Sequence, residues 1–189
     1  TYDNFKFFTI AQIKDLKDRT LTMNGVSKSY AMTGWRIGYG AATKEIIKAM
    51  AKLQSQSTTN PSSISQAAAV EALNGNQDFM LKRNQTFKER RDFVVETLNK
   101  IEGISCLKPN GAFYVFPNCL KFLNKKDKTG KIIKNDSDFV NSLLENYQVA
   151  VVQGSAFGLE GNFRISYATS MDNLKKALDR ISNFCKSLS

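Results

Sequence analysis

Residues 27–39 read Ser27-Lys28-Ser29-Tyr30-Ala31-Met32-Thr33-Gly34-Trp35-Arg36-Ile37-Gly38-Tyr39. This stretch places a lysine among small, hydroxyl-bearing and aromatic residues, with an arginine eight positions later. An ordinary lysine amine has a pKa of about 10.4, so at neutral pH it is protonated and a poor nucleophile. Burial or a neighbouring cation disfavours the charged form of such an amine. We therefore predict that Lys28 is desolvated and attacks a carbonyl carbon.

Arg36 has two candidate roles in the same stretch. It could be the cation that favours a neutral amine at Lys28, or it could hold the phosphate of a bound cofactor. An extended span of this length reaches about 26 Å. A ligand that touches both side chains therefore requires the segment to fold back. Gly34 lies between them and, having no Cβ, is the predicted place of the bend.

The stretch resembles the pyridoxal-phosphate lysine motif of the class I and II aminotransferases, and most closely that of the bacterial aspartate aminotransferases. The resemblance runs on through residues 54–61, resumes at residues 109–114 and returns at residues 163–168. These four matches occur in the order expected for the family and extend over essentially the whole chain. The match is therefore far more specific than a single motif.

The resemblance implies an α/β fold, namely the C-terminal part of a fold-type I transferase that depends on pyridoxal 5'-phosphate. Residues 1–77 would be the C-terminal part of the large cofactor-binding domain. Residues 78–189 would be the small α/β domain, entered by a long interdomain helix. Because the chain starts at Thr1 and family members are much longer, we expect a fragment, the C-terminal half of a larger protein.

Four residues would form the site by resemblance. Lys28 would make a Schiff base with the cofactor and then act as general base and acid at the substrate. Arg36 would grip the cofactor phosphate, and Arg164 would bind the substrate α-carboxylate; a structural ion pair is the alternative at each arginine. Asn60 would lie beside the cofactor at the margin of the site. Its position before Pro61, as the N-cap of a helix starting there, explains it equally well.

These assignments predict transamination between an amino acid, aspartate or glutamate, and a 2-oxo acid, in a cytoplasmic homodimer. Prephenate is a further acceptor that similar bacterial enzymes use. Ser55 stands where animal-type relatives carry the arginine that reads a distal carboxylate, so that recognition stays open. Other parts of the family's site lie in the half of the protein that is absent here, among them the acid that pairs with the cofactor ring nitrogen. The chain alone is therefore predicted to be inactive.

Two other functions remain open. A lyase or synthase that uses pyridoxal phosphate would have the same fold. A non-enzymatic basic binding module would suit the net charge of +10, which can mark a nucleic-acid binder. However, the lysines are scattered apart from one cluster at residues 125–131, which we interpret as a solvated loop. We therefore predict no nucleic-acid partner.

Composition and periodicity narrow the remaining classes. The absence of histidine excludes histidine acid–base catalysis and argues against a zinc site, so we predict no metal. The three cysteines have no metal or redox spacing, which favours a reducing, intracellular setting. No apolar run is long enough for a membrane helix. Helical spacing predicts one helix from Asp78 to about Lys100. It also predicts a last helix with a buried stripe of Leu174, Leu178, Ile181, Cys185 and Leu188.

Overall fold

The computed structural model describes every residue from Thr1 to Ser189, and the chain divides into two compact units. We call Lys6–Lys82 the hairpin unit, and Thr1–Phe5 together with Arg83–Ser189 the C-terminal unit. The chain therefore starts in the C-terminal unit, leaves it after five residues and returns to it within a long helix. The division into a large domain at residues 1–77 and a small domain at residues 78–189 stays a prediction.

The hairpin unit contains one β-hairpin and two helices. Strands β1 (Thr22–Gly25) and β2 (Gly38–Ala41) pair antiparallel, and they are followed by α1 (Lys44–Gln56) and α2 (Ser63–Asn74). Two short 3-10 helices, Ile10–Gln12 and Lys14–Arg19, precede the hairpin. The buried core is small and consists of Val26, Met32 and Ile37 packed with Ala69 of α2. Apolar side chains elsewhere in the unit are largely exposed, for example Leu53 at 73%.

Helix α2 begins later than predicted. Asn60 and Pro61 lie outside it, Ser62 is the N-cap and Ser63 is the first helical residue. The first helical hydrogen bond is donated by the Gln66 amide to the Ser62 carbonyl at 3.0 Å, so the helix starts after Pro61. The Pro61 carbonyl instead accepts a hydrogen bond from Gln66 Nε2 at 2.9 Å. The capping role predicted for Asn60 is therefore wrong. The helix ends at Asn74, and Gly75 is its C-cap.

The C-terminal unit packs three helices around a small sheet. It contains α3 (Phe79–Asn99), β3 (Tyr114–Val115), α4 (Asp136–Tyr147), β4 (Val152–Gln153), β5 (Phe163–Ser166) and α5 (Met171–Ser187). The first residues of α3 belong to the hairpin unit. Strand β5 is central and pairs antiparallel with β3 on one side and β4 on the other.

The core of this unit lies between the inner face of the sheet and the helices. On β5, Phe163 and Ile165 are buried, whereas Arg164 and Ser166 alternate with them on the opposite face. The α5 stripe predicted from the sequence is buried as expected, with exposures of 0–5% from Leu174 to Leu188. The buried rings of Phe139 and Phe184 meet nearly edge to face at 5.0 Å, joining α4 to α5. The strand that carries Arg164 therefore packs on a buried core through its opposite face.

The first residues of the chain are fixed to the C-terminal unit. The Tyr2 amide donates to the Asn110 carbonyl at 2.8 Å, and the Tyr2 hydroxyl donates to the Ala112 carbonyl. The guanidinium of the fully buried Arg91 lies 4.6 Å from the centre of the Tyr2 ring and 2.7 Å from a carboxylate oxygen of Asp3. This opening segment is therefore part of the packed unit.

Two lysines of the cluster at residues 125–131 contact backbone carbonyls at the C-terminal ends of helices. Lys125 Nζ donates to the Leu188 carbonyl at 3.4 Å, just beyond α5. Lys128 Nζ donates to the Asn146 carbonyl at 3.1 Å, in the last turn of α4, and lies over the Tyr147 ring. A cation at a helix C-terminus is favourable because the last carbonyls carry partial negative charge. The interpretation of this cluster as a solvated loop is therefore incomplete, since two of its lysines make specific contacts.

Candidate functional site

Residues 26–37 form the loop between β1 and β2, which we call the lysine loop. Gly25 and Gly38 are paired at its base, and the Val26 amide donates to the Ile37 carbonyl at 3.4 Å. A Cβ on Gly25 would lie only 3.1 Å from that carbonyl oxygen, so glycine allows the close approach. The segment therefore folds back on itself, as a ligand that contacts both Lys28 and Arg36 would require.

The bend does not depend on Gly34, contrary to prediction. Gly34 lies in a 3-10 turn, Thr33–Trp35, and is not among the glycines with positive φ. The left-handed positions are Ala31 and Arg36, each with φ of 55°. Residues with a Cβ adopt this conformation at a cost of about 1–2 kcal/mol, and such positions concentrate at functional sites. Arg36, the arginine of the motif, is therefore one of the two residues in this unfavourable left-handed conformation.

Lys28 lies on the outer side of a turn. The Ala31 amide donates to its carbonyl at 3.1 Å, and the Tyr30 amide donates to the carbonyl of the fully buried Val26 at 3.3 Å. Lys28 itself is exposed. The prediction of a desolvated Lys28 is therefore wrong for this chain, because the turn that buries Val26 directs Lys28 outward.

Arg36 and Asn60 are exposed in the same unit. Arg36 Nη1 donates to the Thr33 carbonyl at 2.8 Å, and its guanidinium forms no ion pair with a carboxylate. The ion-pair alternative at Arg36 is therefore wrong. Asn60 lies in the segment that leads into α2, the helix that packs on the lysine loop through Ala69. Three of the four predicted site residues thus belong to the hairpin unit.

Arg164 belongs to the C-terminal unit and lies on the outer face of β5, half-buried. Its guanidinium carbon is 4.5 Å from the centre of the Tyr114 ring and 4.5 Å from that of the Phe157 ring. No carboxylate pairs with it, so the ion-pair alternative is wrong here too. A guanidinium of this kind can hold a carboxylate through two parallel hydrogen bonds.

The two rings at Arg164 were not predicted as site residues. Tyr114 lies in the motif at residues 109–114, to which no chemical role was assigned, and Phe157 lies outside all four motifs. The pairing of β3 with β5 brings Tyr114 to Arg164, and a short 3-10 helix after β4 brings Phe157. For Tyr114, an aromatic residue on a strand that pairs with the arginine's strand is the sequence signal that points to the contact, whereas Phe157, in a 3-10 helix, has no such signal.

The three cysteines are buried, and the cysteine and acidic side chains form no metal-binding cluster. All three cysteines are free. Burial raises the pKa of the Cys106 thiol to about 11 and that of Cys185 to about 12. Since the thiolate is the reactive form, these thiols are poor nucleophiles. No group of three acidic or cysteine side chains is arranged to hold a metal ion. None of the helices combines the length and apolar character that crossing a bilayer requires.

Comparison with known proteins places these features in a family. Residues 1–181 match the family described as aminotransferase class I and II. The chain is 59% identical over 189 residues to the aspartate aminotransferase of Rhizobium meliloti (strain 1021), covering 100% of this chain and 46% of that protein. It is 56% identical over 190 residues to the probable aspartate/prephenate aminotransferase of Rickettsia felis, with 100% and 46% covered.

A solved structure shows the same fold. The crystal structure of the Rhizobium meliloti aspartate aminotransferase matches with a TM-score of 0.95 and 59% identity, over 100% of this chain and 47% of that one. The chain thus spans about half the length of the curated relatives it matches.

Proposed function

Because this chain belongs to the class I and II aminotransferases, with their fold-type I α/β architecture, we propose that the protein containing it transfers an amino group from an amino acid to a 2-oxo acid. The family match over residues 1–181 is the observation that carries this proposal. Aspartate or glutamate is the proposed donor, and both relatives are named for aspartate. Prephenate is a second candidate acceptor, since one relative is named for it.

We propose pyridoxal 5'-phosphate as the cofactor, held by Lys28, Arg36 and Asn60. The lysine loop suits this cofactor because it carries the exposed primary amine of Lys28 and the exposed guanidinium of Arg36. The Arg36 guanidinium forms no ion pair with a carboxylate. The backbone of the loop is fixed by buried Val26, Met32 and Ile37. A planar guanidinium can bond two phosphate oxygens at once. When bound, this cofactor supplies an electron sink for the negative charge that develops at the substrate α-carbon.

The residues of the chain have distinct proposed roles. Lys28 Nζ would carry the cofactor and, once the substrate amine has displaced it, would move a proton to and from the substrate α-carbon. Arg36 would neutralise and orient the phosphate. Arg164 would bind the α-carboxylate, which amino acids and 2-oxo acids share, so that both substrates can use one site. Lys28 and Arg36 are exposed and Arg164 is half-buried, so the polar end of each side chain is accessible to a ligand.

We further propose a homodimer in the cytoplasm, on the resemblance to the family. Three free thiols and no disulfide are compatible with a reducing compartment. Sedimentation of the purified protein that contains this chain tests the dimer, and a sedimenting monomer would contradict it. Cell fractionation tests the compartment, and recovery outside the cytoplasm would contradict that proposal.

Borohydride reduction of the intact protein tests the central proposal. Reduction fixes an imine as a stable amine, so the cofactor should be recovered on the peptide of residues 26–30, at Lys28. In a separate assay of the unreduced protein, a panel of amino donors with 2-oxoglutarate should give glutamate in amounts equal to the oxo acid formed from the donor. Release of ammonia or carbon dioxide instead would identify a lyase. Recovery of the label on any other lysine would refute the role of Lys28.

A further inference from the structure

The guanidinium of Arg164 contacts two aromatic rings and pairs with no carboxylate. Its central carbon lies 4.5 Å from each of the ring centres of Tyr114 and Phe157. The rings pack on different aromatic neighbours: Tyr114 lies 4.4 Å from Phe113, and Phe157 lies 6.0 Å from Phe116. Two separately supported ring contacts therefore restrict the arginine.

Tyr114 reaches Arg164 through the register of the sheet. Tyr114 is paired with Ser166 across the antiparallel β3–β5 ladder, and Val115 is paired with Ile165. Side chains two residues apart on a strand share a face, so Tyr114, Ser166 and Arg164 all lie on the outer face. The position of Tyr114 is therefore set by backbone pairing.

Phe157 reaches Arg164 from the 3-10 helix Gly154–Phe157, which follows β4. The Gly154 amide donates to the Asn162 carbonyl at 2.7 Å, and the Ser155 amide donates to Oδ2 of Asp136 at 2.6 Å. Asp136 is the first residue of α4 and is only 1% exposed, so this hydrogen bond joins the turn to a buried residue of that helix. The turn that carries Phe157 is thus firmly anchored to the core.

Phe157 contributes little to that core itself. Its side chain is 48% exposed, although the turn beneath it is well anchored. A half-exposed phenylalanine gains only part of the free energy available from burying an apolar side chain. Its contact with a cation that has no carboxylate partner therefore indicates a role other than packing.

We propose that Tyr114 and Phe157 are positioning residues, which hold the Arg164 guanidinium in the orientation that binds the carboxylate of the substrate. This inference rests on the proposed function. An arginine side chain has many rotamers, and a carboxylate that binds a mobile one must first order it. Rings that attract the cation remove that cost before binding and shield part of the guanidinium from water. The affinity for carboxylates then depends on the rings as well as on Arg164.

The test uses the holoenzyme that contains this chain and four variants, one of which, Arg164→Lys, changes the proposed carboxylate ligand itself. Phe157→Leu removes the ring, Phe157→Tyr keeps it, and Tyr147→Leu removes the ring beside Lys128, a cation contact of the same kind elsewhere in the unit. We measure kcat and KM for aspartate and the Kd of succinate, a carboxylate that cannot transaminate.

Phe157→Leu should raise the KM and the succinate Kd about three- to fivefold with kcat nearly unchanged. Phe157→Tyr and Tyr147→Leu should keep wild-type values. A purely structural role would change kcat and the melting temperature of Phe157→Leu instead. An unchanged Kd in Phe157→Leu, or an equal rise in Phe157→Tyr, overturns the inference.

The two proposals fail in different ways. A wild-type protein that binds succinate but transfers no amino group would refute the proposed function, and the succinate Kd of Phe157→Leu would still decide the role of the ring. Transamination with a succinate Kd that does not respond to Arg164→Lys would overturn the inference alone, because the rings would then position a residue that binds no carboxylate.

Discussion

Asp127 shows, at the scale of one residue, how this chain accommodates a buried charge. One carboxylate oxygen accepts hydrogen bonds from the Thr129 amide, the Thr129 hydroxyl and the Lys131 amide at 2.6–3.1 Å. The other accepts from the Ser142 hydroxyl at 2.6 Å and from Asn146 Nδ2 at 3.2 Å. Burial alone would raise the pKa of Asp127, but the hydrogen bonds from Ser142 and Thr129 outweigh it and lower that pKa well below its usual range.

The Asp127 carboxylate should therefore make stability depend on pH in acid. A group whose pKa is depressed by folding stabilises the native state above its unfolded pKa, about 3.9, and this stabilisation is lost as the pH falls further. Asp127→Asn should lower the free energy of unfolding at pH 7 by about 1–3 kcal/mol, because one oxygen becomes a donor facing the donors Ser142 and Asn146. Urea unfolding at pH 7 and pH 3 measures this. A loss that is the same at both pH values would contradict it.

Lys28 is the residue on which the proposed chemistry depends. Lys28→Ala should lower kcat of the intact enzyme by at least about 10²–10⁴-fold, because no other amine would carry the cofactor or move the proton. Lys44→Ala, at the exposed first residue of α1, is the control and should keep wild-type turnover. Steady-state assays with aspartate and 2-oxoglutarate measure both. Retention of more than a few per cent of activity by Lys28→Ala would contradict the proposed role.

The sequence predicted the positions of the charged candidates better than their surroundings. Lys28 and Arg36 were found because they lie in one short stretch with an unusual composition. Their exposure and the left-handed backbone at Arg36 were missed, because both depend on how the loop packs on Ala69 of α2, far away in sequence. Phe157 was missed because two tertiary hydrogen bonds place its turn, from the Gly154 amide to Asn162 and from the Ser155 amide to Asp136.

At the scale of the element, periodicity was most reliable where one helix face is fully buried. Leu174, Leu178 and Ile181 of α5 recur at helical spacing and are all at most 3% exposed. The apolar residues of α1 also recur at helical spacing, but its Leu53 is 73% exposed. The pattern alone shows which face is apolar, and the tertiary structure determines what covers that face.

The α5 stripe gives a direct stability prediction. Leu178→Ala should lower the free energy of unfolding by about 2–5 kcal/mol, because it leaves a cavity in the core between α4 and α5. Lys175→Ala, on the exposed side of the same helix, is the matched control and should change it by less than about 0.5 kcal/mol. Denaturant unfolding with a constant m-value measures both. Equal effects of the two substitutions would show that the stripe is not the buried face.

At the scale of the whole molecule, the two units differ in how well they are packed. The C-terminal unit buries a continuous core, whereas the hairpin unit buries four apolar side chains and leaves Phe7, Leu53 and Ile64 each more than 70% exposed. Large exposed apolar areas are typical of surfaces that contact another polypeptide. The hairpin unit, which carries Lys28 and Arg36, buries fewer apolar side chains than the C-terminal unit does.

The chain of residues 1–189, purified alone, should show no transamination. Its hairpin unit is poorly packed, and by resemblance the acid that pairs with the cofactor ring nitrogen lies outside these residues. An assay of the chain beside the full protein, both with added pyridoxal 5'-phosphate and the same amino donors, makes the comparison. Turnover by the chain alone within about tenfold of the full protein would contradict this prediction.

The attachment of Tyr2 and Asp3 to the C-terminal unit has a consequence for biosynthesis. A ribosome produces these two residues long before Arg91, Asn110 and Ala112 emerge, and the Tyr2 hydroxyl and its acceptor are separated by 110 positions. Until then Tyr2 and Asp3 lack these distant partners, and closing so long a loop carries an entropic cost. Co-translational folding of this unit must therefore wait for its later residues, which are synthesised only after residues 6–82.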